Sequence, residues 1–132
     1  MGTVKYLLDT HTLLWAARDE MKLGKNALEI IENTDNMVFI SAASAYEIMY
    51  KHQLEKLPNY EYFADNFFDI INRLNIEELP LSIRHTHFAG KLKWTHRDPF
   101  DRLLAAQAAV DNLTLLTNDA VFDELPCVTV IW

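Results

Sequence analysis

Short runs of apolar residues alternate along the chain with stretches in which apolar residues recur every three or four positions. The short runs predict buried strands, and the longer stretches predict helices that bury one face. The predicted strands are residues 4–8, 37–41, 76–81, 113–117 and 127–131. The predicted helices are residues 10–17, 23–32, 42–53, 60–74, 83–92 and 99–110, with a helical turn at 120–124. This alternation indicates an α/β protein with a parallel sheet covered by helices on both faces.

Prolines and a capping acid mark several of the boundaries. The segment Leu57-Pro58-Asn59 breaks the chain between two helices. Pro80 cannot donate to a sheet ladder, so it belongs at the end of its strand or on an edge strand. Asp98 followed by Pro99 is a favourable helix start, because Asp accepts unpaired N–H groups and proline has none to leave unpaired. We therefore expect Asp98 to be first of all a helix cap.

Length and composition are those of one globular domain spanning residues 1–132. Cys127 is the single cysteine, so an internal disulfide is excluded and a reducing cytosol is the natural setting. No uncharged apolar stretch approaches the ~18 residues of a membrane span. We expect a soluble, cytoplasmic protein with no membrane contact.

The formal charge of −7 argues against a general affinity for nucleic acid, whose phosphates repel an acidic surface. Two bound divalent cations would offset much of this charge, so the local distribution matters more. Residues 84–97 contain four Lys or Arg residues, three histidines and no acid. This segment is either a solvated basic face or an edge that contacts phosphates.

Four acids are predicted to approach one edge of the sheet. Asp9 and Asp119 each follow a strand, and open parallel sheets bind ligands beyond the carboxyl ends of their strands. Glu47 follows Ile40 by seven residues, about two helical turns, and can lean back over this edge. Asp101 opens a neighbouring helix. Like charges this close need a cation between them, and oxygen ligands favour Mg²⁺ or Mn²⁺.

Each of these acids also has a structural alternative. Asp9 can cap the helix that follows it, and Asp119 can be a turn residue after Asn118. Ser44-Ala45-Tyr46-Glu47 fits a capping box, although a helix beginning at Ser41 would leave Glu47 in its interior and free to reach a metal.

Polar neighbours of the acids extend the candidate site. Lys51 lies four residues after Glu47 and is either a surface ion-pair partner or a contact for phosphate or carboxylate. Histidine ligation is not expected, since no histidine has zinc-ligand spacing with Cys127. Accessory hydrogen-bonding residues for the acids are Thr10, Ser44, Thr117 and Asn118.

Four segments carry a resemblance that spans nearly the whole chain. They are Leu7-Leu8-Asp9-Thr10-His11, Ile40–Ser44 leading to Glu47-Ile48, His96–Ala108, and Leu116-Thr117-Asn118-Asp119 with the Val130-Ile131-Trp132 end. Through them the chain resembles the PIN-domain nuclease family, particularly VapC-type toxins of bacterial toxin–antitoxin pairs. The resemblance implies an α/β/α sandwich with a parallel five-stranded sheet and an Mg²⁺- or Mn²⁺-dependent ribonuclease that uses one or two ions.

The resemblance also implies residue roles and partners. The four family acids fall on Asp9, Glu47, Asp101 and Asp119, as catalytic metal ligands, with Asp98 as an accessory acid. RNA is the implied substrate, a small antitoxin the implied protein partner, and a homodimer the implied assembly. Candidate RNA contacts in the basic segment and beside it are Lys91, Lys93, His96, Arg97 and Arg102. The chain departs from its relatives at Tyr46, where Trp is frequent, and at Glu55, where Gly is frequent.

Two other functions compete with this one. Phosphohydrolases with an Asp nucleophile need a second Asp two residues after the first, and here that position is His11. A phosphoacceptor or a non-catalytic partner-binding domain remains open. A labile phosphoryl adduct on Asp9 would favour the phosphoacceptor.

Overall fold

A computed structural model describes residues 3–54 and 60–132. Its strands are β1 (Lys5–Leu8), β2 (Met37–Ser41), β3 (Ile76–Leu79), β4 (Thr114–Leu116) and β5 (Thr129–Ile131). They form one five-stranded sheet in the order β3-β2-β1-β4-β5, and every neighbouring pair is parallel. The predicted parallel sheet is confirmed, and the carboxyl ends of all five strands therefore lie at the same edge.

Six α-helices connect the strands. They are α1 (Thr10–Arg18), α2 (Lys25–Glu32), α3 (Ala42–Gln53), α4 (Tyr60–Arg73), α5 (Ile83–Lys91) and α6 (Pro99–Val110). The predicted helices are confirmed, as is the helical turn at Ala120–Glu124, which is a 3₁₀ helix. A second 3₁₀ segment, Glu20–Lys22, is not evident from the sequence pattern. The break expected at Leu57-Pro58-Asn59 and the departure at Glu55 lie outside the described residues.

Apolar side chains are buried on both faces of the sheet, because successive residues of a strand point to opposite sides. Leu8 and Leu116 belong to a core cluster that also contains Ile48 of α3 and Ile70 of α4. On the other side, Leu7 and Leu115 belong to a cluster built with α6, whose contribution includes Leu104, Ala105 and Ala108. The predicted α/β/α sandwich is confirmed. No helix in the described part of the chain is long and apolar enough to cross a membrane.

The strand order reverses beside β1. The chain proceeds from β1 to β2 and β3 on one side, and then returns to place β4 and β5 on the other side. Ligands of open α/β sheets bind at such a switch point, beyond the carboxyl ends of the strands. Asp9 immediately follows β1, and its backbone N–H donates to the Leu116 carbonyl at the end of β4 at 3.2 Å. Asp9 therefore lies at the switch point.

Gln107 fixes α6 to this edge of the sheet. Its side chain is fully buried, accepts a hydrogen bond from the Ser41 hydroxyl, and donates to the Pro80 carbonyl at 3.2 Å. Ser41 also accepts from the Ala43 N–H at 2.9 Å and so caps α3. One amide thus ties the ends of β2 and β3 to the middle of α6.

We predict that Gln107→Met lowers the free energy of unfolding by about 2 kcal/mol, because it removes two hydrogen bonds and leaves buried polar groups unpaired. Urea denaturation measures the loss. Gln53→Met is the matched control, since Gln53 is exposed at the end of α3. A Gln107 variant as stable as this control would show that the buried amide does not fix α6.

Candidate functional site

Asp9 is a buried carboxylate whose two oxygens are both hydrogen-bonded. It caps α1, where Oδ1 accepts from the Thr12 N–H at 3.1 Å, and its residue is only 8% exposed. Oδ2 accepts from the Thr117 hydroxyl at 2.6 Å. Burial raises the pKa of Asp9, and the hydrogen bonds from Thr117 and Thr12 oppose this rise. The capping alternative is confirmed for Asp9, and it leaves the carboxylate inside the site.

Glu47 lies in the interior of α3, which begins at Ala42 with Ser41 as its cap. The alternative of a Ser44–Glu47 capping box is therefore wrong, because Ser44 is already inside the helix. Glu47 is 5% exposed, and its Oε1 accepts from the Thr10 hydroxyl at 2.6 Å. Thr10 Oγ1 also lies 2.9 Å from Ser44 Oγ. The structure thus brings Thr10 and Ser44 to Glu47, as expected of accessory residues.

Lys51 pairs with Glu47 on the same face of α3. Its Nζ lies 2.5 Å from Glu47 Oε2, and the side chain of Lys51 is 25% exposed. Burial lowers the pKa of Lys51, but the hydrogen bond and the charge of Glu47 outweigh burial and leave the pKa raised. Of the two alternatives for Lys51, the structure shows the i, i+4 ion pair, with Lys51 as a charged neighbour of the site.

Asp98 and Asp101 have different roles at the start of α6. Asp98 caps the helix, since its Oδ1 accepts from the N–H of Phe100 at 2.9 Å and of Asp101 at 3.5 Å. The predicted cap is confirmed. Asp101 does not cap the helix, and its Oδ2 lies 2.7 Å from His96 Nε2.

The environment of Asp101 is both buried and negative. Burial, above all, raises the pKa of Asp101 to about 6; the His96 hydrogen bond opposes the rise, and the charge of Asp98 adds to it. The charge of Glu47 makes a smaller contribution that also raises the pKa.

His96 joins this acid pair in a geometry suited to a metal ion. Candidate ligand atoms of His96, Asp98 and Asp101 all lie within 4.8 Å of one another. In the described part of the chain, no other group of three or more His, Cys, Asp or Glu residues is this close. The expectation of no histidine ligand rested on zinc spacing with Cys127, which does not detect this cluster. His96 is five residues before Asp101, within reach of the first turn of α6.

The four predicted acids do not form one such tight group among the described residues. Each buried carboxylate instead bonds to a nearer polar group, because like charges in a desolvated place repel. Asp9 bonds to threonines, Glu47 to Thr10 and Lys51, and Asp101 to His96. Each of these three acids is therefore satisfied separately, by its own hydrogen-bonding partners.

Asp119 is the outermost of the four acids. It is exposed and caps the 3₁₀ helix by accepting from the Val121 N–H at 3.0 Å, so its turn alternative is confirmed. Its own N–H donates to Thr117 Oγ1 at 3.0 Å, and Thr117 in turn donates to Asp9. Thr117 therefore links Asp119 to the buried acid, whereas Asn118 is exposed beside them.

Arg102 holds the segment that carries His96. Its guanidinium donates five hydrogen bonds, at 2.7–3.2 Å, to the backbone carbonyls of Ala89, Leu92, Trp94 and His96. A side chain committed to carbonyls is not offered to a phosphate, so we assign Arg102 a structural role in place of the RNA contact expected from the sequence. Lys91, Lys93 and Arg97 are exposed.

Tyr46 precedes Glu47 and is 64% exposed. Its ring stacks on Tyr50 with a centroid distance of 6.0 Å and lies 6.0 Å from the Phe100 ring. The residue that is Tyr here and frequently Trp in the relatives therefore belongs to a surface aromatic group, and the difference does not involve the buried acids.

Comparison with known proteins identifies the family of this chain. The model of the PIN domain family matches residues 6–126. The chain belongs to the PIN-domain family. PIN-domain proteins are nucleases that generally use divalent metals. No curated protein matches the chain significantly.

Solved structures show the same PIN fold. The VapBC2 complex of Rickettsia felis, bound to a DNA fragment from its promoter, contains a chain with a TM-score of 0.72 and 24% identity, covering 97% of this chain and 98% of that one. DNA-bound VapBC from Salmonella typhimurium gives a TM-score of 0.74 at 23% identity, covering 98% of each chain. FitAcB from Neisseria gonorrhoeae gives a TM-score of 0.68 at 18% identity, covering 96% of each chain. At these identities the likeness establishes the PIN fold alone.

We predict that Arg102→Lys lowers the free energy of unfolding by about 2–3 kcal/mol, because an ammonium cannot replace the planar fork that donates to four carbonyls. Thermal and urea denaturation measure this loss. Arg97→Lys is the control, since Arg97 is exposed, and it should change stability by less than about 0.5 kcal/mol. Equal stability of the two variants would contradict the structural role of Arg102.

Proposed function

We propose that this PIN-domain protein is a ribonuclease that depends on Mg²⁺ or Mn²⁺, one or two ions per site, and that it is the toxin of a toxin–antitoxin pair. One observation carries the proposal. Asp9 follows β1 at the switch point of a parallel sheet, Glu47 bonds to its neighbour Thr10, and Asp101 of α6 is a third, largely buried carboxylate from a separate segment. In a PIN domain, buried carboxylates from separate segments support metal-dependent phosphodiester hydrolysis.

The donor set fits a hard divalent cation. Its members are carboxylates, whose oxygens suit Mg²⁺ and Mn²⁺. The pKa of Asp9 and that of Asp101 are both raised, chiefly by burial, and a nearby cation would oppose this rise by favouring the ionised form of each. We assign Asp9, Glu47, Asp101 and Asp119 as the residues that hold the ion, with Asp98 and His96 beside them.

The protein's own contribution is orientation and charge. Thr117 and Thr12 hold the Asp9 carboxylate, and Thr10 holds that of Glu47, so these acids are positioned before any ion arrives. Lys51 lowers the negative charge at Glu47. When bound, the ion supplies an activated water and stabilises charge on the phosphate oxygens.

The substrate side of the proposal rests on exposed cations. Lys91, Lys93 and Arg97 extend from the segment that carries His96 and can contact RNA phosphates. Such contacts position a strand without selecting its sequence. The competing phosphoacceptor function is less well supported, because Asp9 is buried and both of its oxygens already accept hydrogen bonds.

The partner side of the proposal rests on relatives. The VapBC and FitA–FitB structures that share this fold are complexes, and one similar structure, from Klebsiella pneumoniae, is a toxin–antitoxin complex. We propose a small antitoxin as the partner of this chain and a homodimer as its own assembly. Sedimentation of the purified chain tests the dimer, and a monomer at micromolar concentration would contradict it.

We predict that Asp9→Asn reduces RNA cleavage at least ~100-fold, because it removes a charged ligand at the centre of the site. The assay compares an RNA pool with Mg²⁺, with Mn²⁺ and with chelator. Asp35→Asn is the matched control, since Asp35 is exposed and precedes β2, at the opposite edge of the sheet.

Cleavage that survives chelation or Asp9→Asn would contradict the metal-dependent nuclease. The same pair of variants tests the toxin assignment in cells: expression of the wild type and of the Asp35 variant should arrest growth, and the Asp9 variant should not. If cells that express an active nuclease grow normally, the toxin assignment is refuted and the nuclease assignment is unaffected.

A further inference from the structure

Tyr60 is a buried phenol whose hydroxyl is left without a partner. It is the first residue of α4, it is 1% exposed, and its hydroxyl makes no hydrogen bond within residues 3–54 and 60–132. Within these residues, no other buried side-chain nitrogen or oxygen lacks a hydrogen bond. Burial of a hydroxyl without a hydrogen bond destabilises the folded state, so such a group needs an explanation.

Tyr60 packs in the core cluster that adjoins the acidic site. It belongs to the same core cluster as Leu8, Ile48 and Leu116, which are the chain neighbours of Asp9, Glu47 and Thr117. Helix α4 also packs against α3, the helix that carries Glu47 and Lys51.

The charges that act on Tyr60 agree with this placement. Burial raises the pKa of Tyr60, the positive charge of Lys51 lowers it, and the negative charges of Glu47 and Asp9 raise it. The phenol is therefore within the field of the three charged groups that make up the inner part of the site.

The surrounding hydrogen bonds fix the direction of the Glu47 carboxylate. Oε1 of Glu47 accepts from Thr10 and Oε2 from Lys51, so the carboxylate is directed at these two donors. The Asp9 oxygens are engaged by Thr12 and Thr117. A change of partner at Glu47 would turn its carboxylate, so that one of its lone pairs could face a different donor.

We propose that Tyr60 is a positioning residue of the acidic site: its hydroxyl donates to the Glu47 carboxylate once Glu47 exchanges Lys51 for a divalent cation. The inference rests on the proposed function, because it needs an ion at Glu47. It assigns to the phenol a hydrogen bond that is made in the ion-bound protein and missing without the ion. The hydroxyl thus favours binding of the ion, and it lowers the stability of the ion-free fold.

The test measures the affinity for Mn²⁺ by calorimetric titration and the thermal midpoint without metal. Tyr60→Phe removes only the hydroxyl. It should weaken Mn²⁺ binding about tenfold, while the ion-free midpoint stays unchanged or rises by about 2–4 °C. Tyr62→Phe is the matched control on the same helix, where the Tyr62 hydroxyl accepts from Arg73 Nη2 at 3.1 Å; its Mn²⁺ affinity should equal that of the wild type.

A double-mutant cycle separates this hydrogen bond from a general effect on packing. In the Glu47→Gln background, Tyr60→Phe should change Mn²⁺ affinity by less than about twofold, because the charged acceptor is gone. An equal tenfold loss in that background would overturn the pairing with Glu47.

Two further results would also overturn the inference. A fall in the ion-free midpoint of Tyr60→Phe would show that the hydroxyl already has a partner in the protein. Unchanged Mn²⁺ affinity, with a wild type that binds, would refute the role of Tyr60 and leave the proposed nuclease intact. A wild type that binds no Mn²⁺ would instead overturn the proposed function, and this inference with it.

Discussion

Keeping several carboxylates ionised in a desolvated place is the constraint on which the rest of the site depends. Parallel strands bring acids to one edge, and burial raises the pKa of Asp9 and of Asp101 there. The protein meets this by giving each acid its own donors: threonine hydroxyls for Asp9, Thr10 and Lys51 for Glu47, and His96 for Asp101. The same donors that relieve repulsion also fix the directions of the carboxylates.

The scaffold around these acids is held by a few side chains that bond to backbone. Gln107 ties α6 to the ends of two strands, and Arg102 ties the preceding segment to the end of α5. Asp98 fixes where α6 begins. Because all three act on α6 or its approach, they set the position of Asp101 relative to the acids that the sheet brings.

Most of the fold follows from local patterns in the sequence. The strand and helix positions, the parallel sheet and the Asp98 cap follow from hydrophobic periodicity and proline placement. The strand order does not, because it depends on which crossovers pack best. Contacts between distant positions are also invisible to periodicity: Thr117 reaches Asp9 across 108 residues, and Arg102 was indistinguishable by sequence from an exposed RNA-binding cation. The candidate acids could be found because Asp9 and Asp119 directly follow strands, and Glu47 and Asp101 lie in helices predicted beside the same edge.

Membership of the PIN-domain family, the buried carboxylates of Asp9 and Glu47, and the half-buried one of Asp101 converge on one claim, that this edge of the sheet holds a divalent cation. Anomalous diffraction from crystals grown with Mn²⁺ tests that claim most directly. The account predicts an Mn²⁺ peak bounded by the carboxylates of Asp9, Glu47 and Asp101. A peak confined to His96 and Asp98, or no peak near Asp9 at millimolar Mn²⁺, would contradict it.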